Sequence, residues 1–257
     1  MLEIYKRLPG TNCKKCGETS CMAFALKVKA VQRRISECPY MADTGEASSA
    51  NEPVGSAEDS YSHVANEMEE EVRNTDLKGV APAIGADFEV VDGVQCIRLA
   101  LLNRPCELRK EGLFEGGEQC RDSWVKMIVY DYVRRKGGAP VTGDWVAFDH
   151  FPRTPSHIKA FQKTAEDELA SAFDQDRASF EARLVQQGST QEHGQIRADY
   201  SCRLDLLPRI PLLLRFWAAD DEFPASCKLF VDSSANQYLD MEFLGHLVEK
   251  FVKGVTR

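Results

Sequence analysis

The chain has 257 residues, a formal net charge of -8 and a sequence pI near 5.3, with 43% hydrophobic and 28% charged residues. That composition is ordinary for a soluble globular protein, and the length suits one large domain plus a small one. The acidic balance argues against nucleic acid as a partner, and no apolar run approaches the ~18 residues that suggest a membrane span.

In chain order, the first feature is a cysteine loop. It reads Leu8-Pro9-Gly10-Thr11-Asn12-Cys13-Lys14-Lys15-Cys16-Gly17-Glu18-Thr19-Ser20-Cys21, with a return at Cys38-Pro39 and the spacing C-x2-C-x4-C-x16-C. A polar loop with glycines and lysines has no core in which to bury three thiols. An iron-sulfur cluster, a zinc ion or disulfides could hold them. A cluster takes thiolates from a short Cys-rich run plus a distant Cys, commonly followed by Pro. Structural zinc usually pairs two C-x2-C knuckles, or one knuckle with two histidines. Here one knuckle stands alone, and the first His is His63. Disulfides need an oxidising compartment. The start Met1-Leu2-Glu3-Ile4-Tyr5 carries no apolar signal region, so a cytoplasmic setting is expected. Met22 to Val31 reads as a helix that Ser20 or Thr19 can cap. Cys21 then opens that helix, where free amides favour a thiolate. Lys14, Lys15, Lys27, Lys29, Arg33 and Arg34 would offset the charge of a cluster, or form a plain solvated face.

This stretch resembles the small 4Fe-4S domain of the large subunit of the corrinoid iron-sulfur protein and of the B subunit of the Rnf electron-transport complex. The resemblance covers about residues 2–41. It rests on Leu8-Pro9, the four cysteines, Gly17, the run Cys21-Met22-Ala23-Phe24-Ala25 and Cys38-Pro39. It implies that Cys13, Cys16, Cys21 and Cys38 ligate a 4Fe-4S cluster that passes single low-potential electrons. It also implies an anaerobic setting, a ferredoxin-like donor or redox partner protein, and a corrinoid as one acceptor.

Downstream, residues 42–60 are rich in Ala, Ser, Gly and Glu and read as a linker between a cluster domain, 1–41, and a larger domain, 61–257. Tyr61 to Asn74 reads as an acidic helix, and Leu77 to Ile84 as a short one ending near Gly85. Phe88 to Leu99 is a hairpin turning at Asp92-Gly93, with a third strand near Cys106 to Arg109. Gln119 to Lys136 is a helix ended by Gly137-Gly138. Gly143 to Phe148 is a strand, and Ser156 to Gln187 is helical in two pieces. Tyr200 to Leu206, Leu212 to Ala218 and Cys227 to Asp232 are strands, with Pro208 and Pro211 bracketing a turn. Asp240 caps a last helix, Met241 to Val252. The fold class is α+β: a small helical cluster domain followed by a mainly antiparallel sheet with flanking helices. The scattered Cys96, Cys106, Cys120, Cys202 and Cys227 read as small buried apolar residues.

From about Tyr61 onward the chain is similar to an uncharacterised family of bacterial and archaeal proteins known only as a domain of unknown function. The similarity rests on Val141 to Phe148, Leu206-Leu207-Pro208-Arg209-Ile210-Pro211, Phe216-Trp217, Asp221 to Ala225, Phe230 to Ser234 and Tyr238-Leu239. It implies a fold grouping and no mechanism. Fingerprints for enzyme chemistry are missing: no G-x-G-x-x-G or G-x-x-x-x-G-K-S/T, no H-E-x-x-H and no G-x-S-x-G. The TIM-barrel length of a corrinoid-binding large subunit is absent as well. His63, His150, His157, His193 and His246 are never paired at ligand spacing, though His150 and His157 flank one loop. The remaining candidates for a cofactor or ligand site are Arg209, Trp217, Asp221 and Asp232, expected with Arg215 at one sheet end; the alternative for Asp220-Asp221-Glu222 is a solvated turn. Two functions follow. The chain is an electron-transfer protein, or a binding and assembly module for a metalloenzyme or small ligand whose cluster is structural or sensory.

Overall fold

The structure is a computed structural model and describes residues 2–29, 32–41, 57–151, 161–192 and 197–257. The part of the expected linker at 42–56, the expected helix start at 156–160 with His157, and His193 lie outside those residues. Where the linker was expected to run to 60, helix α3 (Ala57–Arg73) has already begun. Val64, Met68 and Val72, spaced one turn apart, are buried along it.

Helix α1 (Leu2–Arg7), which no pattern announced, packs on α2 (Cys21–Lys29). The Ala23 amide donates to Ser20 Oγ at 3.0 Å, the cap expected from sequence. Short helix α4 (Leu77–Val80) leads to a five-stranded meander: β1 (Asp87–Val91), β2 (Val94–Leu101), β3 (Arg104–Arg109), β4 (Gly112–Glu115) and β5 (Glu118–Gln119). Asp92 and Gly93 take φ of 54° and 79°, the left-handed pair a two-residue hairpin requires. Leu102 and Asn103 turn the next hairpin the same way, at 50° and 58°. Leucine pays sterically for that conformation, and tertiary bonds hold it: Leu102 N–H donates to the Leu206 carbonyl at 2.9 Å, and Asn103 Nδ2 to that of Gln186 at 3.2 Å.

Gln119, expected to open a helix, instead ends β5 opposite Phe114. Helix α5 starts four residues later (Ser123–Arg135), because Asp122 Oδ1 accepts the amides of Trp124 and Val125 at 3.0 and 3.1 Å. Residues 127–133 of this helix are all buried, so it is wrapped rather than laid on a surface.

A second five-stranded antiparallel sheet has the order β6 (Trp145–Ala147), β10 (Ser226–Asp232), β9 (Ile210–Trp217), β8 (Tyr200–Leu207), β7 (Thr190–Gln191). One sheet was expected; there are two. Central β9 is buried at residues 210–214, as a strand covered on both faces must be. Pro211, expected in a turn, lies inside β9 opposite Asp205, where the pairing with β8 is irregular and demands less of the ladder. The helical stretch from Phe161 is in two pieces as expected. A π turn (Gln162–Glu166) runs into α6 (Asp167–Gln175), Asp176 breaks the run, and α7 (Arg177–Gln186) follows. After the short α8 (Ala235–Tyr238), α9 (Met241–Val255) closes the chain with the Glu242 amide on Asp240 Oδ1 at 3.0 Å.

The cysteine-loop segment and the larger part share one continuous core. The Tyr5 hydroxyl donates to Asp240 Oδ1 at 3.1 Å, so α1 is fastened to the cap of α9.

Candidate metal centre

Four of the eight residues 10–17 have left-handed backbone: Gly10, Asn12, Lys14 and Gly17, at φ of 63°, 42°, 59° and 83°. The loop therefore coils tightly, and its knuckle closes with Gly17 N–H on the Lys14 carbonyl at 2.9 Å. Asn12 is buried and clamps the loop to α2. Its amide donates to Cys21 Sγ at 3.3 Å, and its Oδ1 accepts the Cys21 amide. Cys38 follows a 3-10 turn (Ile35–Glu37), its amide on the Ile35 carbonyl at 3.1 Å. Cys21 and Cys38 are buried, while Cys13 and Cys16 are half-buried.

Burial pushes the Cys21 thiol up to about 11, partly offset by the Asn12 amide, while Glu242, Cys38 and Cys13 lie near enough to raise it further. As placed, no three Cys, His, Asp or Glu side chains among the described residues stand close enough to hold an ion. The donor set nevertheless fits an iron-sulfur cluster in kind: four thiols from one loop and one return, one of them already accepting the sort of amide hydrogen bond that tunes cluster sulfur. Of the expected basic collar, Lys27 and Arg33 pair with Glu18, Lys29 with Glu67, and Lys15 donates to the Tyr40 hydroxyl at 2.8 Å. All but the Lys29 pair, which reaches α3, stay within the segment, and they favour the solvated-face reading for most of the collar.

A cleft of about 510 Å³ lies between this loop and the first turns of α9, lined among others by Asn12, Cys13, Lys14, Glu242, Gly245 and His246. Sequence gave no sign of it, since Glu242 reads as an ordinary acid in a helix's first turn. In the structure Glu242 is buried. Burial pushes its carboxyl up from 4.5 to about 7, with Asp240 adding to the rise and hydrogen bonding from Tyr5, Ser20 and Asn12 opposing it. The folded state then binds this proton more tightly than the unfolded chain does. The stability it contributes is full below about pH 4.5 and is lost as pH rises through about 7. Glu242→Gln should remove that slope. Denaturant unfolding should show the variant gaining on the parent by up to about 3 kcal/mol between about pH 5 and about pH 8. Parallel pH profiles would mean that the carboxyl is not desolvated.

The second-domain candidates do not converge. Arg209 and Trp217 flank or end opposite ends of β9, and Asp232 lies at the Arg209 end because β10 runs antiparallel. Trp217 Nε1 donates to the Arg197 carbonyl at 3.0 Å, and Arg215 stands over the Phe230 ring at 5.3 Å. Asp232 is fully buried, and Thr142, Gly143 and Ser234 donate five hydrogen bonds of 2.5 to 3.1 Å to it. Burial would raise its carboxyl, but those bonds outweigh it and hold it below the usual range. It fastens β6 to β10. Arg209 donates its amide to the Tyr132 hydroxyl at 2.9 Å, and its Nε would lie 2.9 Å from any Cβ placed on Gly85, so the glycine there admits it. Asp220 Oδ1 accepts the amides of Glu222 and Phe223, and Asp221 is exposed, a solvated turn. His150 is exposed beside Phe151. The five scattered cysteines are all buried.

Comparison with known proteins matches two separate stretches of the chain. Residues 8–40 match the family described as "Putative Fe-S cluster", and residues 76–253 match the family described as a domain of unknown function (DUF3786). Among curated proteins, the acetyl-CoA decarbonylase/synthase complex subunit gamma of Methanocaldococcus jannaschii is 55% identical over 40 residues, which are 16% of this chain and 8% of that protein. The corrinoid/iron-sulfur protein large subunit of Moorella thermoacetica is 45% identical over 42 residues, 16% of this chain and 9% of that one. A gamma subunit from Methanosarcina acetivorans is 55% identical over 38 residues, 15% and 8%. The chain thus spans under a tenth of the length of these relatives. No solved structure matches it. The N-terminal segment is an iron-sulfur cluster domain, and no helix among the described residues is long and apolar enough to cross a membrane.

Proposed function

The chain belongs to the DUF3786 family, and from that premise we propose that it is an iron-sulfur protein of anaerobic metabolism that passes single low-potential electrons. Cys13, Cys16, Cys21 and Cys38 hold a 4Fe-4S cluster in this reading. When bound, such a cluster supplies one-electron chemistry at a potential set by its ligands, hydrogen bonds and exposure. The observation that carries the reading is the division of the thiols: Cys21 and Cys38 are buried and anchored, while Cys13 and Cys16 are part-exposed on the knuckle. The buried pair fixes the group to the core, and the exposed pair leaves one edge within reach of a docking partner. The Asn12 amide on Cys21 Sγ stabilises negative charge on that sulfur. Lys14, exposed beside Cys13, favours an acidic partner surface such as that of a ferredoxin-like donor. The names of the relatives make a corrinoid, free or on a partner protein, the acceptor we put first.

Anaerobic redox titration followed by electron paramagnetic resonance tests this. A reversible one-electron couple at low potential is expected. A cluster that dithionite leaves oxidised would favour the second reading, a binding or assembly module for a metalloenzyme or small ligand with a structural or sensory cluster. The contact of Tyr5 with the cap of α9 is what speaks for that alternative, because it builds the cluster segment into the main core.

A further inference from the structure

The cysteine loop encloses one hydroxyl that the chain itself leaves unmet. Thr11 Oγ1 is buried and makes no hydrogen bond. A threonine in a tight loop ordinarily turns its hydroxyl onto a nearby backbone group, and a buried donor without an acceptor is costly. The polar side chains beside it follow that rule. Ser20 Oγ accepts the Ala23 amide at 3.0 Å, and Asn12 Oδ1 accepts the Cys21 amide. Ser189, the other buried hydroxyl without a bond among the described residues, lies by the Tyr200 hydroxyl and the Cys202 thiol and has those groups to turn to. Thr11 is placed by different neighbours, the thiols of the loop.

Thr11 sits between Gly10 and Asn12, both with left-handed backbone, at φ of 63° and 42°. The Asn12 nitrogen is bonded to the Thr11 carbonyl carbon, and its N–H donates to Cys21 Sγ at 3.3 Å. Covalent dimensions then keep the Thr11 hydroxyl within about 8 Å of that sulfur. Cys13, half-buried, follows two residues on. The unmet donor is therefore held in the stretch that carries the thiols. A group bound among them would bring it the acceptor it lacks, since thiolate and cluster sulfur both accept hydrogen bonds.

We propose that the Thr11 hydroxyl donates to a sulfur of the bound 4Fe-4S cluster and raises its reduction potential. Hydrogen bonds to the sulfurs are among the levers a protein has on that potential. The reduced cluster carries one more negative charge than the oxidised one, so an O–H donor stabilises it more. Burial strengthens the bias, because no water competes for the sulfur. The Asn12 amide acts in the same direction, but it belongs to the backbone, whereas the Thr11 donor can be removed by substitution. This inference rests on Cys13, Cys16, Cys21 and Cys38 as the ligands, and it is indifferent to which partner receives the electron.

Thr11→Val, which keeps the branched shape and loses the donor, is compared with Thr11→Ser, which keeps the donor. Full-length protein purified anaerobically is titrated potentiometrically and followed by electron paramagnetic resonance, with iron and sulfide measured on each variant. Thr11→Val is expected to keep its iron and to be about tenfold harder to reduce, a midpoint more negative by about 59 mV for one electron. Thr11→Ser should stay near the parent. A fully loaded Thr11→Val with the parent's midpoint, or Thr11→Ser shifted as far as Thr11→Val, would overturn the donor role and leave the ligand assignment standing. If Thr11→Val does not assemble a cluster, Thr11→Ala against Thr11→Ser decides on the same scale. If the parent's cluster takes no electron, the redox reading fails and resonance Raman of the oxidised cluster decides instead. The parent's iron-sulfur stretching bands should then move on deuteration, and move less in Thr11→Val; equal deuterium shifts would overturn the donor role. A parent without iron and sulfide would overturn the ligand assignment and this inference with it.

Discussion

Serine in place of Cys21 should strip the protein of its cluster. Anaerobically purified parent is expected to hold about four iron and four acid-labile sulfide per chain, as four thiolate ligands imply. Cys21 is the thiol with most to lose. It opens α2, accepts the Asn12 amide at 3.3 Å, and lies within electrostatic reach of Cys13 and Cys38. A serine hydroxyl is a poor ligand for iron, so iron should fall to near zero or to a converted cluster with about three per chain. Serine at Cys13, Cys16 or Cys38 should act alike. Serine at Cys96, Cys106, Cys120, Cys202 or Cys227 should leave iron unchanged, because each of these thiols is buried away from the loop. Iron and sulfide analysis across the nine variants is the measurement. Stoichiometric zinc without sulfide in the parent would sink the cluster, and full iron in Cys21→Ser would remove Cys21 from the ligand set.

Asp131→Ala should cost about 3 kcal/mol of folding stability or more, the scale of breaking a buried ion pair from one side. Asp131 is fully buried on α5 and accepts from Arg134 at 2.6 Å, Arg135 at 2.7 Å and the Asp240 amide at 2.8 Å. Arg135 reaches on to Asp240 at 3.3 Å, and Asp240 both caps α9 and receives the Tyr5 hydroxyl. One carboxylate thus joins the central helix, the last helix and the cysteine-loop segment. Alanine would leave the helix-cap amide without its acceptor and strip the two guanidinium groups of their shortest ion pairs, leaving Arg134 to Glu71 and Arg135 to Asp240 at 3.3 Å. Asn, which keeps one acceptor oxygen, should cost less. Urea unfolding would measure both; a loss under about 1 kcal/mol for Asp131→Ala would show that solvent replaces the carboxylate.

Much of this molecule was legible in its sequence, for local reasons. The Asp92-Gly93 hairpin follows from two residues that tolerate left-handed backbone. Ser20 and Asp240 begin helices because their side chains reach amides two or three residues ahead. The helix expected from Gln119 starts instead at Ser123 for an equally local reason, since Asp122 is the better cap and Gly116-Gly117 turn β4 into β5. The left-handed turn at Leu102 was out of reach, because its support comes from Leu206 and Gln186, about a hundred residues away.

The same division holds for the candidate sites. The four cysteines stand out as candidate ligands because ligation needs several donors close together in the chain, and spacing records that directly. Arg209, Trp217, Asp221 and Asp232 looked like one site because they are near in sequence, and an eight-residue strand carries Arg209 and Trp217 to opposite ends of the sheet. The sequence by itself determined the iron-sulfur character of the N-terminal segment, the α+β class and the place of most elements, since all of these are set by residues within a few turns of each other. Only the tertiary structure decided that Glu242 is buried and that a cleft lined by Gly245 adjoins Cys13. Burial and hydrogen-bond satisfaction depend on which distant segments pack together, and the approach of α1 and the cysteine loop to α9 spans more than two hundred residues of chain.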